Sequence, residues 1–147
     1  MNIDKIGKNV VIIGGGEVGV ETGMFLAQNG RNVTVIEMRD ELAADTTVMH
    51  YRSMFSAAWE ALPTFSYVLN ATAKEISAAG VTYTDKDGVD HIIPADSVIM
   101  SVGMRSKADE ALSFYGTNPG FYMVGDCKKP GTIQTTNRSA YVTANNI

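Results

Sequence analysis

Three closely spaced glycines follow a run of four apolar β-branched residues near the start of the chain. The run is Val10–Ile13, and Gly14, Gly16 and Gly19 come after it. Such a run is typical of a buried parallel strand, and the glycines allow a tight turn and a close approach of the backbone to a pyrophosphate at a helix N-terminus. Because glycines at this spacing also occur by chance in other loops, the flanking elements must support the prediction of a dinucleotide site.

An acidic residue at the expected distance supports the same prediction. Glu37 closes a second β-branched stretch, 32–36, about 20 residues beyond the glycines. A carboxylate there accepts hydrogen bonds from the adenosine ribose hydroxyls and repels a 2′-phosphate, so we expect NAD(H) to bind in preference to NADP(H). Two alternatives are open: Glu37 is a solvated charge at a strand end, or Arg39 pairs with a 2′-phosphate.

The segments around these residues alternate in the order of a parallel sheet. Residues 16–29 carry an apolar face and end at an Asn-Gly helix stop, so they predict an amphipathic helix before the strand at 32–36. Apolar residues at helical spacing over 51–62 predict a crossover helix that Asp45 caps and a proline ends. The apolar stretch 65–69 is then a third parallel strand.

The second half of the chain changes character. Three short, half-alternating segments predict a small antiparallel meander over 71–93. Apolar stretches at 97–103 and 121–126 predict two more parallel strands. Residues 104–120 between them predict a loose connection, and residues 135–146 predict a weaker helix. The whole pattern predicts an α/β, Rossmann-like three-layer fold, in which a parallel sheet is covered by helices and by the meander.

Composition narrows the function classes. The chain has 147 residues and a net charge of −4, so it lacks the basic surface that nucleic acid or an anionic membrane would require. Its single cysteine, Cys127, excludes an internal disulfide framework and a zinc or iron–sulfur site built from this chain alone. No apolar stretch approaches the length of a membrane span. These features predict a soluble, cytoplasmic protein.

Four motifs in a fixed order resemble a known family. They are the GGGxxGxE turn at 14–21, the meander, the Ser-Val-Gly-Met-Arg sequence at 101–105, and Val-Gly-Asp-Cys at 124–127. Together they resemble the pyridine-nucleotide-disulfide oxidoreductase superfamily. With Glu-Met-Arg-Asp at 37–40 and no CxxxxC redox pair, they are most similar to the C-terminal region of NADH:flavin oxidoreductases of the old yellow enzyme type, which include 2-enoate and 2,4-dienoyl-CoA reductases.

This resemblance implies how the chain is organised and what it does. Residues 1–103 would be an NAD(H)-binding Rossmann-like domain. Residues 104–147 would be a connection followed by the last strand and helix of an FAD domain, packed on the same sheet. The remaining domains of a longer flavoprotein would hold most of the FAD site, FMN and an iron–sulfur cluster. The chain would bind NADH and pass hydride to FAD, and would be inactive alone. The alternative is a free-standing, non-catalytic dinucleotide-sensing module, which would have no use for the motif at 124–127.

The candidate cofactor-binding residues follow from the glycine turn and from the resemblance. Glu21 matches a glutamate that lies near the nicotinamide in relatives, or it is a helix-surface carboxylate. Gly103 would line the nicotinamide side of the cleft, or it is a turn glycine, and Asp126 matches an acid that contacts FAD. No catalytic residue and no metal ligand are predicted, and Cys127 is expected to be a buried structural thiol. The full candidate set is Gly14, Gly15, Gly16, Glu17, Val18, Gly19, Glu21, Glu37, Met38, Arg39, Gly103 and Asp126.

The last apolar stretch needs a pairing partner, because an unpaired strand is an exposed edge. We expect it to pair with the preceding parallel strand and to complete a five-stranded sheet. The expected order, by first residue of each strand, is Phe65, Asn32, Val10, Ser97 and Phe121. The alternative partner is the same strand of a second chain, which would make a strand-exchanged homodimer.

Overall fold

The structure, a computed structural model, describes residues 2–44, 46 and 50–147. The predicted helix cap, Asp45, lies outside these residues. The chain divides into two compact units, Met1–Gly103 and Met104–Ile147. Among the described helices, none combines the length and the apolar character that crossing a bilayer requires.

Seven strands and four α-helices, counted over the described residues, make up the two units. The strands are β1 (Asn9–Ile13), β2 (Asn32–Ile36), β3 (Phe65–Val68), β4 (Thr72–Ser77), β5 (Gly80–Thr84), β6 (Asp90–Ile93) and β7 (Ser97–Met100). The helices are α1 (Glu17–Gln28), α2 (Tyr51–Glu60), α3 (Ala108–Leu112) and α4 (Ile133–Ala144), and short 3₁₀-helices occupy Ile3–Lys5 and Gly125–Cys127.

The parallel strands form a four-stranded sheet in the order β3–β2–β1–β7. β1 lies between β2 and β7, with Ile12 opposite both Val35 and Ile99. Val10, Val11 and Ile12 are buried, as β-branched residues in the centre of a parallel sheet must be when both faces are covered. The predicted order of these four strands is confirmed.

Each face of the parallel sheet has its own cover. Helices α1 and α2 cover one face, where Leu26 and Trp59 pack with Ile12. The antiparallel sheet β4–β5–β6 covers the other face, where Val81 packs with Val11. Neighbouring residues of β1 reach opposite faces because side chains alternate along a strand. The predicted α/β, Rossmann-like three-layer fold with a meander is confirmed.

The ends of α1 and α2 follow from local sequence. Gly16 precedes the first turn of α1, Asn29 follows the last, and Gly30 has a φ of +77°, which glycine adopts without a Cβ penalty. Helix α2 ends at Glu60, shortly before Pro63, which lacks the N–H that a continued helix would need. Both helices lie where the apolar periodicity predicts them.

The predicted fifth parallel strand is wrong. Phe121–Val124 belongs to no strand, and among the described residues β7 pairs only with β1. A strand needs a paired backbone and a face to bury, whereas this segment has one β-branched residue, Val124, and no buried side chain. The strand β7 is accordingly an edge of the sheet, and its side chains are half-buried except for Met100, which is 63% exposed.

The second unit, Met104–Ile147, consists of helices joined by turns. The predicted loose connection contains α3. The predicted C-terminal helix begins earlier than expected because Thr132 caps it, with its Oγ1 accepting the N–H of Thr135 at 3.2 Å. No residue of this unit is buried.

Candidate functional site

The first glycine of the turn between β1 and α1 occupies a position that only glycine fits. Gly14 has a φ of +103°, and a Cβ added there would lie 2.3 Å from the carbonyl oxygen of Ser101. The Gly14 N–H donates to the Ile36 carbonyl at 2.9 Å, and the Ser101 N–H donates to the Ile13 carbonyl at 2.7 Å. The turn is therefore fixed between the carboxyl ends of β2 and β7.

Packing of the fold requires a glycine at Gly19 but not at Gly16. A Cβ on Gly19 would lie 2.0 Å from the carbonyl oxygen of Gly14, so Gly19 lets α1 pack directly against the turn. Apart from its two chain neighbours, no described residue has an atom within 4 Å of a Cβ built on Gly16, whose φ of −67° suits any residue. The fold itself tolerates a side chain at Gly16, and the absence of one leaves open space at the start of α1.

The N-terminus of α1 has no side-chain cap. Gly16 is the N-cap residue, and the Val20 N–H donates to its carbonyl at 3.0 Å. Glu17 and Val18 follow in the first turn, where Glu17 is half-buried and Val18 is exposed. Without a capping side chain, the first-turn N–H groups are left to solvent or to a ligand, and the helix dipole favours an anion there.

The carboxylate of Glu37 lies against this turn and is only 8% exposed. Its Oε2 accepts the Gly15 N–H at 2.6 Å, and its Oε1 accepts the Arg39 N–H at 2.9 Å. The interpretation of Glu37 as a solvated charge is therefore wrong. The next candidate residue, Met38, is exposed. A carboxylate has about four acceptor sites, so Glu37 can accept further hydrogen bonds from a ligand.

The segment after Glu37 also contacts Gly15. The Ala43 N–H donates to the Gly15 carbonyl at 2.7 Å, and a Cβ on Gly15 would lie 2.6 Å from Leu42 Cδ2. Leu42 and Ala43 are both buried. Sequence reasoning missed these two residues because they stand among charged neighbours and follow no helical or strand period.

Tyr51 also contacts the first turns of α1, although the sequence pattern assigns it only to the apolar face of α2. Its hydroxyl donates to Glu21 Oε1 at 3.3 Å and lies 3.5 Å from the Glu17 carbonyl oxygen. Burial raises the pKa of this phenol above its usual value, and the carboxylates of Glu21 and Glu17 raise it further. Tyr51 therefore stays protonated and acts as a hydrogen-bond donor at neutral pH.

Two of the candidate residues, Gly103 and Asp126, lie elsewhere, as does the single cysteine. Gly103 follows β7 with a φ of +85°, and no described residue other than its chain neighbours has an atom within 4 Å of an added Cβ. Asp126 belongs to the second unit, where its Oδ1 accepts the Gly131 N–H at 3.2 Å. Cys127 is half-buried rather than buried, and its Sγ donates to the Val124 carbonyl at 3.0 Å, which is a structural contact.

The glycine turn, the acid after β2 and the strand order together match a known family. The family model described as pyridine nucleotide-disulphide oxidoreductase matches residues 1–141. The chain belongs to this family. The predicted superfamily is confirmed, and the family's redox reactions involve NAD(P)H and FAD.

Enoate-reductase-like proteins are among the relatives in this family. The chain is 30% identical to cinnamate reductase of Clostridium sporogenes, over 100% of this chain and 22% of that protein. The structure of 2-naphthoyl-CoA reductase with 2-naphthoyl-CoA has a TM-score of 0.78 at 27% identity, over 97% of this chain and 22% of that one. Histamine dehydrogenase from Rhizobium sp. 4-9 shares the fold, with a TM-score of 0.82 at 18% identity over 97% of this chain and 22% of that one.

The chain thus spans 22% of the length of each of these relatives. The predicted similarity to enoate-reductase-like members of the superfamily is confirmed.

Proposed function

We propose that Met1–Gly103 binds NADH at the glycine turn and presents it for hydride transfer to a flavin. The observation that carries the proposal is the turn itself. It combines open space at Gly16, an uncapped helix N-terminus, and the Glu37 carboxylate 2.6 Å from the Gly15 nitrogen. The strand order reverses between β1 and β7, and ligands of open α/β sheets bind outside the carboxyl ends of the strands at such a point.

Each part of the turn would meet one part of NADH. The first-turn N–H groups of α1 would bind the pyrophosphate, which Gly16 allows to approach closely. Glu37 would accept the adenosine ribose hydroxyls with its remaining lone pairs. Glu21 and Gly103 would lie toward the nicotinamide. Bound NADH supplies the hydride, and the protein supplies binding and orientation.

We propose further that the chain works within a longer flavoprotein. The lengths of the relatives support this, because the chain covers 22% of cinnamate reductase and of 2-naphthoyl-CoA reductase. Residues 104–147 would belong to an FAD domain in which Asp126, an exposed acid that also orders the loop before α4, contacts FAD. Other domains would hold most of the FAD site, FMN and an iron–sulfur cluster.

Nucleotide titration tests the proposal. We expect the purified chain to bind NADH at least about tenfold more tightly than NADPH, or about 1.4 kcal/mol, because Glu37 disfavours a 2′-phosphate. Titration calorimetry with NADH, NADPH and ADP-ribose gives the affinities. The variant Arg39→Ala should keep the preference for NADH.

Two results would contradict this proposal. Equal or tighter binding of NADPH, abolished in Arg39→Ala, would show that Arg39 rather than Glu37 selects the ribose. Failure of the chain to bind any of the three nucleotides would remove the turn as a dinucleotide site.

A further inference from the structure

Tyr51 is a buried polar side chain that the nucleotide contacts proposed above do not use. It is 4% exposed and its ring lies against Phe55, with ring centroids 4.6 Å apart. A buried hydroxyl reduces stability unless it has a hydrogen-bond partner. The two acceptors that the described residues offer to this hydroxyl belong to α1: Glu21 Oε1 at 3.3 Å and the Glu17 carbonyl oxygen at 3.5 Å.

Glu21 is the stronger of these two partners. Its carboxylate oxygen is the closer of the two, whereas the Glu17 carbonyl is already the ordinary helical acceptor for the N–H four residues on. Side chains of an α-helix tilt toward its N-terminus, so Glu21 leans back toward the glycine turn. The Tyr51 hydroxyl thus holds an exposed carboxylate near the end of α1 where the proposed ligand lies.

We propose that Tyr51 is a positioning residue, which holds the Glu21 carboxylate so that it accepts a hydrogen bond from the nicotinamide carboxamide of NADH. This inference rests on the proposed function. The chemistry is complementary, because an ionised carboxylate only accepts hydrogen bonds and the carboxamide NH₂ donates them. Since Tyr51 stays protonated at neutral pH, it donates to Glu21 without taking up an acceptor that the ligand needs.

The variant Tyr51→Phe tests this role, because it keeps the ring and removes only the donor. We expect NADH to bind about threefold to tenfold more weakly, the range for losing one hydrogen bond that orients a charged group. ADP-ribose lacks the nicotinamide, so its affinity should stay within about 1.5-fold of the original. The emission of bound NADH, which reports the surroundings of the nicotinamide, should also change.

Tyr67→Phe is the matched control. The Tyr67 hydroxyl donates to Glu60 Oε1 at 2.6 Å, which is the same kind of pair on an exposed part of the same unit. Loss of the Tyr67 hydroxyl should change neither the affinity for NADH nor the affinity for ADP-ribose. The effect of Tyr51→Phe should also disappear in the Glu21→Ala background, because a residue that acts through Glu21 has nothing to position there.

The outcomes separate this inference from the proposed function. If the unchanged chain binds both nucleotides but Tyr51→Phe weakens both equally or neither, the positioning role is overturned and the dinucleotide site stands. If the unchanged chain binds neither nucleotide, both proposals fail. Should Tyr51→Phe not fold, Glu21→Ala, at an exposed helical position, must by itself lower the affinity for NADH and spare ADP-ribose, or the inference fails.

Discussion

At the scale of single residues, Gly14, Gly16 and Gly19 are the same residue type in three different surroundings. Gly14 is fixed by its φ of +103°, and Gly19 by the carbonyl 2.0 Å from its added Cβ. Only Gly16 faces open space in an ordinary backbone conformation. Substitution at these positions therefore separates the requirements of folding from those of binding.

We predict that Gly16→Ala folds normally and binds NADH about tenfold or more weakly, because its methyl group enters the space that the pyrophosphate needs. Gly19→Ala should instead lower the free energy of unfolding by about 1–3 kcal/mol, since its methyl group overlaps the Gly14 carbonyl. Denaturant unfolding and titration calorimetry measure the two effects.

The control for Gly16→Ala is Gly120→Ala. At Gly120 the nearest atom to an added Cβ is Asn118 Oδ1 at 3.6 Å, an ordinary contact. This variant should leave both stability and binding unchanged. Full NADH affinity in Gly16→Ala would show that the pyrophosphate does not bind at this turn.

Glu37 carries a second prediction, which does not need a ligand. Its two oxygens accept the N–H groups of Gly15 and Arg39, but the amide nitrogen of glutamine cannot accept either bond. We expect Glu37→Gln to lower the free energy of unfolding of the ligand-free chain by about 1–3 kcal/mol. Chemical denaturation measures it, with Glu75→Gln on the exposed side of β4 as the control. Equal stabilities of the two variants would mean that Glu37 serves the nucleotide alone.

At the scale of elements, sequence patterns succeed where a segment supplies its own signal. Dense β-branched residues predict β2 at its observed bounds, and the glycine spacing predicts the start of α1. The prediction of a strand at 121–124 is wrong because a strand also depends on a neighbouring strand to pair with, which no local pattern reports. The contacts of Leu42 and Tyr51 were missed for the same reason: they join residues distant in sequence.

The turn between β5 and β6 shows how one side chain orders an element. The Asp85 carboxylate accepts the N–H groups of Val89 and Asp87 at 2.9 Å each, and it lies 2.7 Å from His91 Nε2. The hydrogen bond with His91, followed by that from the Val89 N–H, holds the pKa of Asp85 below its usual value. Asp85 therefore stabilises the fold when ionised.

The sign of the pH effect follows from this lowered pKa. The stabilisation is fully present above the pKa of an unfolded aspartate, about 3.9, and is lost as the pH falls through the lower pKa of the folded state. We predict that Asp85→Asn lowers the free energy of unfolding at pH 7 and that the gap narrows toward pH 2. Urea unfolding of the unchanged chain and of Asp85→Asn at both pH values measures this difference in the free energy of unfolding. Asp87→Asn, which alters an exposed acid of the same turn, is the control, and a gap that is independent of pH would contradict the assignment.

At the scale of the whole molecule, the two units differ in what holds them together. Met1–Gly103 buries both faces of its parallel sheet, whereas Met104–Ile147 buries no residue and leaves large apolar side chains such as Leu112, Phe114 and Tyr141 exposed. A segment of this size without a core depends on other surfaces for stability. This supports the proposal that the second unit works as part of a larger FAD domain.

The last prediction concerns flavin. The described chain offers one glycine turn between a strand and a helix, and the proposed function assigns it to NADH. Asp126 lies in a unit with no core to hold an isoalloxazine ring. We therefore expect the purified chain to show no stoichiometric flavin in its visible spectrum, and no NADH-dependent reduction of enoates or dyes, even with added FAD. Asp126→Ala is the matched variant and should behave identically. A preparation with about one flavin per chain, lost in Asp126→Ala, would show that the second unit forms a flavin site without further domains.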